Sequence, residues 1–178
     1  EKRVQLTAYF VNGLSHRFTH RKDQADLDRA IAVAQNVLAT TEPHLGERAR
    51  LLSSLADVYQ ERAAATNSTA DLDHAMTCSH AAIEFSSDED HFYAGRVFAL
   101  SRNHWQRYLQ SSRTEDLDQA IGYAEAALHN SPSQETMVAA LSNLAQYYKV
   151  QFDSTADPDA LNRSILHLEL GAPAVPPG

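Results

Sequence analysis

Apolar residues in this chain recur at helical spacings. Leu27, Ile31, Ala34 and Leu38 stand four, three and four positions apart, which is one face of a helix. Leu51, Leu52, Leu55, Val58 and Tyr59 form a second stripe of the same kind, predicting a longer helix from about Glu47 to Ala64. The two stripes belong to a repeating unit. Asp-Leu-Asp occurs at Asp26-Leu27-Asp28, Asp71-Leu72-Asp73 and Asp116-Leu117-Asp118, with the leucines 45 residues apart, and a degraded copy, Ala160-Leu161-Asn162, follows 44 residues later.

The flanks of each copy align as well. Ala30-Ile31, Ala75-Met76, Ala120-Ile121 and Ser164-Ile165 share two positions, and Leu38, Ile83 and Leu128 share a third. The small Ala30 and Ala34 allow a neighbouring helix to come close. Seventeen residues before each anchor leucine stand Phe10, Leu55, Leu100 and Leu144; seven further on come Arg17, Arg62, Arg107 and Gln151. Each unit is thus predicted to be a long helix A, a short polar turn and a helix B.

Punctuation supports these joints. Asp23, Ser68 and Asp157 precede helix B where a capping oxygen belongs, with Asp26 and Asp71 at the third helical position, and Pro158 fits the first. Arg113 breaks the pattern in the third unit, where Ser112 and Glu115 offer a cap shifted by one. The B-to-A connections are expected at Thr40 to Gly46, Ser86 to Asp90 and Asn130 to Ser133. The acidic pairs, such as Asp26 and Asp28, read as helix caps and solvated charges. The expected organisation is one domain over residues 1–170, in units of approximately 1–46, 47–90, 91–134 and 135–170. A proline-rich tail, 171–178, cuts the last helix B to about ten residues.

Composition narrows the partners. The chain has 178 residues, 43% of them hydrophobic, and a net charge of −8, so a folded core is expected while a nucleic-acid backbone or an anionic membrane finds no cationic footprint. A single cysteine, Cys78, precludes an internal disulfide. No apolar run reaches the ~18–20 residues of a membrane span, and Glu1 opens no signal peptide. The expected setting is cytoplasmic, for a piece of a longer protein.

Chemistry is sparse. His16 and His20, like His74 and Cys78, have i,i+4 spacing but supply two of the three or four ligands that zinc needs. Cys78 and His80 stand two apart, on different helix faces, so a catalytic dyad is disfavoured. No Walker or GxGxxG motif is present. No catalytic residue, metal or cofactor is expected, and the chain is read as a non-enzyme.

A helix A ending in Arg-x-aromatic, a short loop, then Asp-Leu-Asp-x-Ala-Ile resembles the long, roughly 45-residue variety of tetratricopeptide repeat (TPR), whose standard period is 34. Such arrays occur in fungal and bacterial proteins beside CHAT or NACHT domains. The resemblance covers the chain to about Leu170. It implies an all-α, right-handed superhelical solenoid of about four antiparallel hairpins, with A helices lining the concave face. HEAT and armadillo repeats of similar period are the second reading; their first helix bends at a proline, which is missing here.

The family register points Ala8, Asn12 and Ser15, then Ser53, Asp57 and Gln60, then Phe98, Arg102 and Trp105, then Ser142, Gln146 and Lys149 into the groove. A terminal-carboxylate clamp is not reproduced, since Ala8, Ser54, Ala99 and Asn143 stand at its positions. The resemblance therefore implies a protein–protein scaffold. Its expected groove residues are Asn12, Ser53, Asp57, Gln60, Phe98, Arg102, Trp105, Gln146 and Lys149, with Arg102 and Lys149 engaging acidic groups of a peptide or helix. Trp105 has two readings, a groove anchor or a packing residue against the adjacent hairpin. Two other functions stay open: a self-assembly module using the exposed terminal repeats, and a regulatory domain of an adjacent caspase-like or NTPase domain.

Overall fold

A computed structural model describes residues 2–42, 44–87, 90–131 and 133–172. Among these every regular element is a helix: α1 (Lys2–Arg21), α2 (Gln24–Thr40), α3 (Leu45–Thr66), α4 (Thr69–Glu84), α5 (Tyr93–Ser111), α6 (Thr114–His129), α7 (Gln134–Thr155) and α8 (Pro158–Gly171). The protein is all-α, and no helix is long and apolar enough to cross a membrane.

Successive helices pair as α1–α2, α3–α4, α5–α6 and α7–α8, through the same turn each time. Lys22, Asn67, Ser112 and Ala156 each follow a helix A with φ of 55–56°, and an extended residue then opens helix B. The left-handed residue returns its amide to the carbonyl four positions back, as Asn67 does to Ala63. Left-handed backbone costs an L-residue about 1 kcal/mol or more. No glycine relieves it at any of the four turns. Asp23, Ser68 and Asp157 then cap the B helices with their side-chain oxygens. Arg113 keeps the capping position without a side-chain bond, so the one-residue shift expected there does not occur.

The B helices start where they do because their first turn is tied to helix A. Arg62 Nε and Nη2 donate to the two oxygens of Asp71 at 3.0 and 2.6 Å. Arg17 grips Asp26 in the same side-on manner, and Arg107 donates to Asp116 Oδ1 through Nε (2.7 Å) and Nη2 (2.6 Å). The three aspartates are buried, which corrects their reading as solvated caps. The hydrogen bond from Arg17 holds the Asp26 carboxyl below the usual carboxylate range, as that from Arg62 does for Asp71. In the fourth hairpin both partners change together, to Gln151 and Ala160. A buried aspartate without its arginine would be an uncompensated charge, so losing the pair costs far less than losing half of it.

The same arginines reach backwards. Arg62 Nη1 donates to Asp28 Oδ1 of the preceding hairpin (2.7 Å), Arg107 Nη1 lies 4.0 Å from Asp73 Oδ1, and Gln151 Nε2 donates to Asp118 Oδ1 (3.4 Å). Each Asp-Leu-Asp therefore does three things. Its first aspartate ties the hairpin, its leucine enters the core, and its second aspartate holds the next hairpin. Leu27, Leu72 and Leu117 are buried, as are Leu55, Leu100 and Leu144 from the A helices.

The odd helices touch their odd neighbours (α1·α3, α3·α5, α5·α7), whereas no two even helices touch one another among the described residues. Helices α2, α4 and α6 instead each pack between the helix before and the helix after, and α8 packs on α7. Two boundaries differ from expectation. Helix α3 begins two residues early, at Leu45, and α8 runs 14 residues through Gly171 rather than about ten. Gly171 packs against Leu141, so its place in helix α8 follows from tertiary contact. Residues 173–178 of the proline-rich tail lie outside the described residues.

The third hairpin places a histidine where the others have Leu14, Tyr59 or Tyr148. His104 is buried, stacks on Tyr123 at 5.4 Å, and sits with Nδ1 3.2 Å from Asp116 Oδ1. A carboxylate only accepts, so the proton belongs on Nδ1. Burial pushes the His104 pKa down, against the opposing hydrogen bond to Asp116; burial also lowers that of His167. The unfolded chain therefore takes up protons near pH 6.5 while folded His104 stays neutral to lower pH. More protons on the unfolded state means stability falls on acidification through this window. The urea midpoint should drop between about pH 7.5 and 5.5, and His104→Tyr should reduce that drop, leaving the part owed to His167. An unchanged pH slope in the variant would contradict a neutral, buried His104.

Candidate functional site

Because α1, α3 and α5 lie side by side, residues at i and i+4 on their shared face converge. Ser53 and Asp57 of α3, Phe98 and Arg102 of α5, and Asn12 of α1 line one open cavity of about 560 Å³. That volume lies within the range of small-ligand pockets, large enough for one or two side chains of a bound segment. Asp57 and Arg102 meet across it at 3.1 Å. Although 53% of the Asp57 side chain touches solvent, the surrounding protein penalises its charge and raises its pKa, with Arg102 opposing.

Among the further lining residues, Tyr9, Arg50, Phe92 and Arg96 were invisible to the sequence register. Arg96 stands at the core position held by Leu51 one hairpin earlier, and it is buried. Its partners are built in. Nε donates to Ser53 Oγ (3.0 Å), and Nη1 to Ser86 Oγ (2.5 Å) and to Asp90. An arginine in a leucine register with an aspartate six residues before it was the available signal. Arg50 lies over the Phe92 ring, 5.9 Å from its centre, and its charge helps to hold the Asp90 carboxyl below the usual range. Three guanidinium groups thus border one cavity of a chain whose net charge is −8.

A second depression continues along the same face, lined by Gln60, Arg102, Trp105 and Gln146. Trp105 is half-buried, stacked against Tyr147 of α7 at 4.7 Å and Tyr108 at 5.5 Å. It packs against the core of the last two hairpins while bordering the depression. The remaining expected residue does not converge. Lys149 is exposed and bonds Asp153 on its own helix, away from both depressions. Ala8, pointed into the groove by the family register, is buried in the core instead. Among the described residues Arg102 Nε is buried with no hydrogen-bond partner, which leaves a free donor at the junction of the two depressions.

The groups assembled here are guanidinium, carboxylate, hydroxyl, amide and aromatic, which bind and orient. The Cys78 thiol lies elsewhere; burial pushes it up to about 11, so it is protonated at neutral pH. No family model matches this chain, and no curated protein matches it in sequence.

Proposed function

We propose that this chain is an interaction scaffold, a short TPR-like right-handed solenoid that holds a peptide or helix of a partner protein along the face formed by α1, α3, α5 and α7. The observation that supports this reading is the convergence of side chains from three successive A helices on one 560 Å³ cavity that carries an aromatic residue and an unpartnered arginine donor. Aromatic and arginine side chains dominate binding energy once water is excluded. Arg50 at the rim and the unbonded Nε of Arg102 favour a segment carrying an acidic side chain beside an apolar one. The touching odd helices and separated even helices are what a curved array with A helices inside requires.

The test is fluorescence anisotropy against a peptide array in which acidic–aromatic, basic–aromatic and neutral sequences are matched for length. Acidic–aromatic peptides should bind best, and added salt should weaken them. Phe98→Ala and Arg102→Ala should each weaken binding about tenfold, near 1.4 kcal/mol, with helicity unchanged. Trp105→Ala should also lower stability, because it removes the stack on Tyr147. Equal binding of all three peptide classes, or indifference to both substitutions, would refute the groove reading.

A further inference from the structure

We infer that the cavity between α3, α4 and α5 binds a small organic acid, a single carboxylate carried on an aromatic body. The site is the cavity of the proposed groove, but the inference goes beyond that reading because it needs no peptide partner.

The cavity marks a departure from the repeat. Ser54, Ala82 and Gly95 line it, and 45 residues before them the chain holds the larger Tyr9, Val37 and Arg50. Glycine weakens the helix in which it stands. At Gly95 a Cβ would meet nothing within 4 Å, so no neighbouring atom demands that loss. Small residues on three helices leave the space, and buried polar groups give it chemistry.

Three lining side chains are more than nine-tenths buried and have hydrogen-bonding capacity unspent. Ser54 is 5% exposed and its hydroxyl makes no hydrogen bond among the described residues, whereas that of Ser53 donates to Ala49 and accepts from Arg96. Ser79, 2% exposed, accepts from Asn103, and its own O–H meets no acceptor among the described residues. Arg96, 6% exposed, spends Nε on Ser53 and Nη1 on Ser86 and Asp90, which leaves Nη2 unbonded. Buried polar groups are satisfied in folded proteins, so lining donors without a protein acceptor call for one on the ligand.

Charge makes that acceptor an anion. Among the described lining residues three arginines, Arg50, Arg96 and Arg102, face a single carboxylate, Asp57. Asp57 already accepts from Arg102. Arg96 and Arg102 stand six residues apart on α5, about 9 Å along the helix axis. A carboxylate held at Arg96 thus extends its body toward Asp57, whose charge opposes a second anionic end. Phe92 and Phe98 supply aromatic walls between polar groups, the usual composition of a small-molecule site. A phenyl ring on a three-carbon acid matches the length and the walls.

Ligand-observed NMR titration of the whole chain with 3-phenylpropanoate, its amide and 3-phenylpropylamine tests this. The acid should bind about tenfold or more tighter than the amide, the difference between a charged and a neutral acceptor, and the amine should bind weakest. Glutarate, anionic at both ends, should also bind less well than the monoacid. Gly95→Leu fills the cavity without an internal clash and should abolish acid binding while circular dichroism stays unchanged. Ser54→Val should weaken it about two- to tenfold, as expected for one hydrogen bond. An acid that binds no better than its amide or the amine, or a Gly95→Leu variant that binds like wild type, would overturn the proposal. Binding of acidic–aromatic peptides without binding of the free acid would also overturn it and leave the groove reading standing. Free acid that binds, and is blocked by Gly95→Leu, while no peptide binds would support the cavity site and refute the groove reading.

Discussion

Leu72→Ala is expected to cost about 3–5 kcal/mol, read as a lower urea midpoint at unchanged slope. Leu72 is a fully buried residue of α4, a helix packed against both α3 and α5, so its truncation removes transfer energy and leaves a cavity that the surrounding helices close only in part. The whole fold of a domain this size is worth about 5–15 kcal/mol, so the loss is a large fraction of it. Leu161, at the equivalent place in the fourth hairpin, is only half-buried, and Leu161→Ala should cost roughly 1 kcal/mol. The contrast between the two is the informative measurement. Equal costs would mean that the fourth hairpin is as enclosed as the second, and a cost below about 1 kcal/mol at Leu72 would mean that it is not a core position.

Asp71→Ala is the second large effect, about 2–4 kcal/mol, because it strands Arg62 at a half-buried site where two of its donors lose their acceptors. The double substitution Arg62→Gln with Asp71→Ala copies the fourth hairpin, Gln151 with Ala160, and should be milder than Asp71→Ala alone. A double-mutant cycle in urea measures the difference as a coupling energy. Additive costs would show that the pair does not act as a unit. Acid should act on the same bridge. Asp71 is held below its unfolded pKa by Arg62, so the stability it confers is present above about pH 3.9 and is lost as pH falls through the lower, folded value.

These bridges show how far the chain could be read without its fold. The arginines and aspartates were visible as aligned columns nine residues apart, Arg17 with Asp26 and Arg62 with Asp71. Along a single helix such a spacing brings no two side chains together, so the aspartates were read as caps and solvated charges and the arginines as an aligned column without a partner. Only the reversal of direction at the turn sets one above the other. The turn itself was illegible for a related reason. Its left-handed residue is lysine, asparagine, serine or alanine, and three of these carry no conformational signal; packing of A on B imposes the backbone and bears its cost. Arg96 was likewise hidden, because its position belongs to the core register and its partners come from Ser53 on another helix and from Ser86 and Asp90 in the connection between α4 and α5.

The order of apolar and polar residues determined the repeating unit, the number of helices and the leucines of the core, while the placing of Asn12, Ser53, Asp57, Phe98 and Arg102 on one face came from the resemblance to the tetratricopeptide register. Periodicity reports which side of one helix a residue occupies, and these are properties of single helices. The tertiary structure alone decided which charges pair, that Lys149 turns to Asp153 while Arg96 turns to Ser53, and how large a cavity the A helices enclose. Those outcomes depend on distances between helices far apart in the chain, which close packing sets and linear spacing does not encode.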